Sequence, residues 1–200
     1  MIYLSENEIG FDAQGLGFPS IRGCHAIVYV TSNGLFGLHN YGGDLARDWP
    51  ERSAVFGQFV SGHAQGTGAG KTLYGVCYAT TQRAYTVNGI APKQNWKGEL
   101  AAFAAAVGFN GPIYGYDLAG RGFQPPAYVH YTSVGSTCVI QVKPWNKADS
   151  GEGANNTPQD YQMIARNKNG VGYELKATKQ QVVTSMSTAG LTTVYPEKLR

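Results

Sequence analysis

The sequence predicts an α+β fold: a β-sandwich or mixed-sheet core with flanking helices. Three observations carry that expectation. Glycine takes 27 of the 200 positions, near twice the usual share of about 7%, which favours a turn-rich β protein over a helical bundle. The first half reads mostly as β-rich runs, two of them joined through Asn33-Gly34, and Asn-Gly between apolar runs is the strongest short hairpin signal. One stretch in the middle has a clear helical period, and helical signals return only towards the end.

In chain order, Ala26 to Thr31 reads as a strand, Ser32-Asn33-Gly34 as a turn and Leu35 to His39 as the returning strand. Thr72 to Thr80 and Ala84 to Val87 are further β-rich runs. Gly98 to Val107 is the clearest helix: Leu100, Phe103, Ala104 and Val107 fall at i, i+3, i+4 and i+7, with Asn95 as cap and Gly108 as stop. Pro112 to Tyr116 and Ala127 to Tyr131 follow as strands. In Thr137 to Lys143, Cys138, Ile140 and Val142 point one way and Thr137, Val139 and Gln141 the other, the period of a strand. Asp149 to Asn156 reads as a polar loop, Thr157-Pro158 as the start of a short helix to Arg166, and Thr178 to about Thr188 as a last helix ended by Gly190.

Composition sets the broad class. Hydrophobic residues make up 42% and charged residues 14%, against roughly 25% charged in an average protein. Such a chain can bury a core, and its many aromatics argue against disorder. The length suits one domain, here a single catalytic domain over residues 1–200. The net charge of +3 is spread without any basic run, so no nucleic-acid partner is expected. No apolar segment approaches the ~20 residues of a membrane span, so a soluble chain with no membrane partner is expected. Ser5-Glu6-Asn7-Glu8 interrupts any leader-like pattern at the start. Export by a route that needs no cleaved signal stays open. Three cysteines, an odd count, read as free thiols and not as a disulfide framework.

The chemistry concentrates between Arg22-Gly23-Cys24 and His39-Asn40-Tyr41-Gly42-Gly43. A thiol nucleophile needs a partner that raises its thiolate fraction, and a nearby imidazole does this. A sharp Gly-Cys entry can also aim backbone N–H groups at an oxyanion. Register decides whether the two side chains meet. With a two-residue loop, His39 faces Val28, and Cys24 lies four residues, roughly 13 Å, further along. With Thr31 to Gly34 as the loop, His39 faces Ala26, and Cys24 lies two residues, about 7 Å, away on the same face. The catalytic reading requires the longer loop or an equivalent bulge. The alternative is a buried cysteine and a surface histidine that share a hairpin. His25 is adjacent to the thiol but points to the opposite face of a strand.

Gly-Cys at a strand start, a hairpin, and a histidine fifteen positions on with a small-residue turn behind it resemble the catalytic core of the cytotoxic necrotising factor family. The CheD-like chemoreceptor deamidases are more distant relatives. The resemblance covers Ile21 to Gly43. It implies hydrolysis of a glutamine side-chain amide in a protein substrate, with Cys24 as nucleophile, His39 as general base and no cofactor or metal. The family's third element is a backbone carbonyl or a threonine upstream of the cysteine, for which the Phe18 to Ser20 region is the candidate. It also implies a bacterial toxin or effector, secreted or injected into a host cell and acting in its cytosol, with a cognate inhibitor protein as a further partner. If an amine replaced water, the same thioester would give transglutamination. A cysteine peptidase or amidase on the same pair is the second enzyme reading. A non-enzymatic β-rich binding module, with tyrosines such as Tyr29, Tyr41 and Tyr74 as its contact surface, is the reading from another class.

The remaining candidates point elsewhere. Cys77 and Cys138 read as core thiols from their apolar strands. His63 and His130 are substitute bases in principle and satisfied histidines in the plainer reading. Gly66-Thr67-Gly68-Ala69-Gly70-Lys71-Thr72 resembles a phosphate loop, but the glycine required five before Gly70 is Gln65. A strand-like run follows it, not a helix, so it reads as a flexible loop, one that could border the site. No His/Cys/Asp/Glu cluster has metal-ligand spacing.

Overall fold

The computed structural model describes every residue except 42–44, 83–90, 156–159 and 180, and only the backbone of residues 45–47. The fold is α+β with a sheet-rich core. Strands β1 (Ile2–Tyr3), β2 (Glu8–Asp12), β3 (Gly15–Ile21), β4 (His25–Thr31) and β5 (Leu35–Asn40) precede helix α1 (Leu45–Gly62). Strand β6 (Gly70–Cys77), helix α2 (Pro92–Ala106) and strands β7 (Ile113–Asp117), β8 (Ala127–Val134) and β9 (Thr137–Pro144) follow. The chain ends with β10 (Ser150–Ala154), β11 (Tyr161–Arg166), β12 (Tyr173–Ala177), β13 (Gln181–Met186), β14 (Thr192–Val194) and β15 (Glu197–Lys198).

An eight-stranded sheet runs in the order β12-β11-β2-β5-β4-β6-β7-β15 and a five-stranded sheet in the order β1-β3-β8-β9-β14, while β10 and β13 form a separate ribbon. In the large sheet β6 and β7 pair parallel. A parallel pair needs a long crossover, and α2 lies within it.

Two apolar clusters make three layers. On one face of the large sheet, Val55, Phe56 and Phe59 of α1 and Trp96, Leu100 and Phe103 of α2 pack on Ile27, Tyr29 and Leu38. On the other face, Ala26, Val28 and Val30 pack against Phe18, Val129 and Tyr131 of the second sheet. Strand β4 is therefore buried on both faces, its residues alternating between the two clusters with the period of two that a strand imposes. Each large side chain fully buried in these layers contributes about 1.5–3 kcal/mol.

Helix α1 is absent from the sequence expectation. Its buried stripe, Arg52, Val55, Phe56, Phe59 and Val60, has helical spacing, but Pro50, Gly57 and Gly62 interrupt the signal. Gly57 is needed there, because a Cβ would lie 2.5 Å from the carbonyl oxygen of Ala106 on α2. Helix α2 begins six residues before the expected Gly98, with Pro92 in its first turn and no side-chain cap; Asn95 lies inside it. Three expectations near the C-terminus are corrected. Residues 150–154 and 161–166 are strands, not a loop and a helix, and 181–186 is a strand that pairs with β10. The β-branched Val182, Val183 and Thr184 suit that pairing. The expected strand Ala84 to Val87 and the Thr157-Pro158 helix start lie outside the described residues.

Candidate active site

The β4–β5 hairpin has the longer loop. Val30 pairs with Leu35 and Ala26 with His39, leaving Thr31 to Gly34 as the loop. Thr31 N–H and its hydroxyl both donate to Gly34 O, at 2.9 and 3.2 Å. Cys24 directly precedes β4 and shares the inter-sheet face with Ala26 and Phe18. The His39 ring also stands over Phe18, with centroids 6.2 Å apart. Both side chains lie at the open end of the hairpin. They are buried, Cys24 at 6% and His39 at 2% exposure, and do not sit on an exposed strand edge. The Gly42-Gly43 turn after His39 lies outside the described residues.

His25 points the other way, into the helix layer. The indole N–H of Trp96 donates to His25 Nε2 at 3.2 Å, and His25 Nδ1 meets Glu99 Oε2 at 3.0 Å. Trp is a donor only, so Nε2 accepts and Nδ1 carries the proton. Asn40, beside His39, also turns to this face and donates to Glu99 Oε1 at 2.6 Å. Arg52 of α1 then bridges Asn40 Oδ1 at 2.6 Å and Asn7 Oδ1 at 2.7 Å.

His39 Nδ1 lies 2.7 Å from the carbonyl oxygen of Leu4. A carbonyl only accepts, so Nδ1 carries the proton and Nε2 holds the lone pair of the neutral ring. The orienting carbonyl is thus Leu4 O, and not a group in the Phe18 to Ser20 region. Leu4 is placed by its own N–H, which donates to Gly17 O at 2.7 Å. Gly37, two residues before His39 on the same face, leaves the space: a Cβ there would lie 2.5 Å from Leu16 and 2.9 Å from Leu4.

The turn after Leu4 is fixed from several sides. Asn7 N–H donates to His39 O at 2.9 Å and Ser5 N–H to Glu8 Oε2 at 2.6 Å. Tyr161 OH lies within hydrogen-bond reach of both Glu8 Oε2, at 2.7 Å, and Tyr3 O. Asn7 has φ of +68°, a left-handed conformation that asparagine tolerates better than most residues. This turn carries Glu6, and the Cys24 thiol donates to Glu6 Oε2 at 3.4 Å.

Glu6 and His39 line a cavity of about 230 Å³. Ser20, Trp145, Lys147 and Glu152 close other sides of it. Cys24 is not itself a lining residue, so its thiol meets the cavity wall at Glu6. Pro19-Ser20 forms a bulge in β3, where the pairing with β8 slips between Phe18 and Ile21, and Ser20 has φ of +60°. The Phe18 to Ser20 region therefore shapes the cavity rim through a bulge of the kind found next to active sites. Opposite it, Lys143 Nζ donates to Asp149 at 2.6 Å and Asn146 caps the short turn 147–149, which holds the Trp145 to Lys147 wall in place. A roomier groove of about 680 Å³ between α1 and α2 is lined mainly by small residues, with Gln58 among them, and holds none of the candidate groups.

The other candidates lie apart from the site. His63 Nε2 meets Asp160 at 2.9 Å among Phe11, Phe36 and Phe59. His130 is buried in β8, and desolvation lowers its pKa. Cys77 is buried against the helix layer, and burial pushes the Cys138 thiol well up. The glycine-rich loop is pinned at the far tip of the hairpin, where Asn33 donates to Gln65 O and Gly66 O and Ser32 exchanges bonds with Ala69. It does not border the site. Tyr29 and Tyr74 are core residues, and of the three expected contact tyrosines Tyr41 alone is exposed. Among the described residues no group of His, Cys, Asp and Glu could hold a metal ion.

Sequence reasoning missed Leu4 and Glu6: a backbone carbonyl has no residue signature, and an exposed glutamate in a short turn looks like any solvated charge. No family model, curated protein or solved structure matches the chain.

Proposed function

We propose that the protein is a thiol-dependent glutamine deamidase acting on a protein substrate. The observation that carries the reading is the pairing of register and tautomer: Ala26 faces His39, so Cys24 shares the face of His39, and Leu4 O fixes the proton on Nδ1. Nε2 is then the nitrogen able to take the thiol proton. The Leu4 carbonyl also stabilises the imidazolium that results, since it faces the N–H that gains positive charge.

In the proposed cycle Cys24 Sγ gives its proton to His39 Nε2 and attacks the side-chain carbonyl carbon of glutamine. The imidazolium returns the proton to the amide nitrogen as the C–N bond breaks, and ammonia leaves. A thioester remains. Water attacks it while His39 accepts a proton from the water, then returns that proton to sulfur as the C–S bond breaks. The product is glutamate. The substrate loses two hydrogen-bond donors and gains a negative charge, enough to disable a binding or catalytic site on the target. A toxin or effector acting in a host cytosol is part of the same proposal and rests on the resemblance of Ile21 to Gly43 alone.

Incubating the protein with a host-cell lysate and mapping peptides by mass spectrometry tests the reading. Glutamines that gain about one dalton, with ammonia released, are expected with the native protein and lost in Cys24→Ala. Cleaved fragments that depend on Cys24 would move the assignment to a peptidase. Protein binding that survives Cys24→Ala, with no turnover by the native protein, would favour a binding module.

A further inference from the structure

We propose that Glu6 is a specificity residue that takes the substrate's amide nitrogen and selects a primary carboxamide over an ester of the same acyl group. The proposal rests on Cys24 being the nucleophile.

Glu6 Oε2 is the acceptor of the thiol proton donor at 3.4 Å, and the same side chain lines the cavity beside His39. When the thiol gives its proton to His39, the Glu6 carboxylate loses that donor. An ionised carboxylate only accepts, and a thiolate beside it is a like charge. A primary amide supplies two N–H donors at that moment. Once sulfur bonds to the carbonyl carbon, the amide nitrogen sits two bonds from sulfur, inside the shell that Glu6 occupies. The carboxylate can then accept from the –NH2 group while His39 delivers the proton that makes it leave. An ester oxygen at the same place carries no hydrogen and faces the carboxylate with a lone pair.

The turn that holds Glu6 is built for placement. Glu8, Tyr161, Asn7 and the His39 carbonyl fix its backbone, and its first residue, Leu4, orients His39. One short segment thus sets both the base and the group that meets the leaving nitrogen. A carboxylate needed only for solubility has no reason to sit on the thiol.

The test compares one acyl group in two forms, a glutaminyl peptide amide and its activated γ-ester, with native protein, E6A, E6Q and C24A. Loss of a charge-assisted hydrogen bond to the amide predicts that the amide-to-ester ratio of kcat/KM falls at least tenfold in E6A. E6Q keeps an acceptor oxygen but loses the charge, and its ratio falls at least threefold. Glu6 is exposed, so both variants keep the native melting temperature; should E6A fail to fold, E6Q decides. A ratio that stays within twofold in the folded variants, with ester turnover still dependent on Cys24, overturns the role of Glu6 and leaves the nucleophile standing. Absence of any Cys24-dependent turnover of either substrate by the native protein overturns the nucleophile and Glu6 together.

Discussion

The imidazole of His39 donates through Nδ1 to the backbone carbonyl of Leu4 at 2.7 Å, across 35 positions of sequence. A main-chain acceptor does the orienting that a carboxylate does in other histidine-based sites. It cannot be removed by changing its own side chain, so its contribution has to be tested through the residues that place it.

Cys24→Ser and His39→Ala are each expected to lower ammonia release by at least about 10²-fold, the low end for loss of a proton-transfer partner. The double variant falls hardly further, because residues acting as one unit are non-additive. Circular dichroism checks the fold. Both side chains are buried, so some loss of melting temperature accompanies the kinetic loss.

His25→Ala is expected to act on stability and not on chemistry. It empties a site between Trp96 and Glu99 and removes the Nδ1 partner of a buried Glu99. Removing the donor of a buried carboxylate oxygen costs about 1–3 kcal/mol. Urea melts measure that loss, and turnover per folded molecule stays near native.

Gly37→Ala puts a methyl group against Leu16, Leu4 and Phe18. Overpacking of this kind costs about 1–3 kcal/mol, and Leu4 must shift to relieve it. Turnover per folded molecule falls with the melting temperature. An alanine variant with native stability and native turnover would show that Leu4 has room the packing does not reveal.

Iodoacetamide at neutral pH should label Cys24 before Cys77 and Cys138. Cys77 is sealed in the helix-side core. Cys138 is more open at the residue level, yet burial holds its thiol in the unreactive protonated form. Peptide mapping of a labelling time course reads the order, and equal rates in the folded protein remove the case for an activated thiol.

His130 gives a pH signature. Its folded pKa lies below the ordinary 6.5 because burial disfavours the charged ring. Above 6.5 the ring is neutral in both the folded and unfolded states. As pH falls from 6.5 towards the folded value, the unfolded chain takes up the proton first and stability is lost. His130→Gln should flatten the fall in urea midpoint over that acid range while leaving the midpoint above pH 7 little changed.

The hairpin was legible because its signals are local: an Asn-Gly turn between two apolar runs. Its register was not, since a two-residue and a four-residue loop both fit the sequence, and the bonds from Thr31 to Gly34 O decide for the longer one. Helix α1 was not, since Pro50, Gly57 and Gly62 dilute a stripe whose partners lie on distant strands. Thr178 to Thr188 read as a helix although Val182, Val183 and Thr184 favour extended backbone, and pairing with β10 decides the matter. At the site, spacing put Cys24 and His39 on one face once the longer loop is taken, and the roles proposed for them come from the resemblance of Ile21 to Gly43. The carbonyl that meets His39 could not be placed, because any residue could supply it, and tertiary pairing of Leu4 with Gly17 brings it there.

Neighbouring residues on the hairpin serve opposite layers: Cys24 and His39 face the second sheet, while His25 and Asn40 join Glu99 under the helices. The division of labour is held in the odd and even positions of the strand. Deleting a single residue between Ile27 and Val30 would leave the far half of β4 in place and move the near half along by one. Cys24 would then take the seat of His25 beneath α2, and His25 would turn towards His39. Such a chain would keep Cys24, His25, His39 and Asn40 and still move the thiol from the inter-sheet layer to the helix layer, so the parity of β4 sets the proposed site as much as any residue in it.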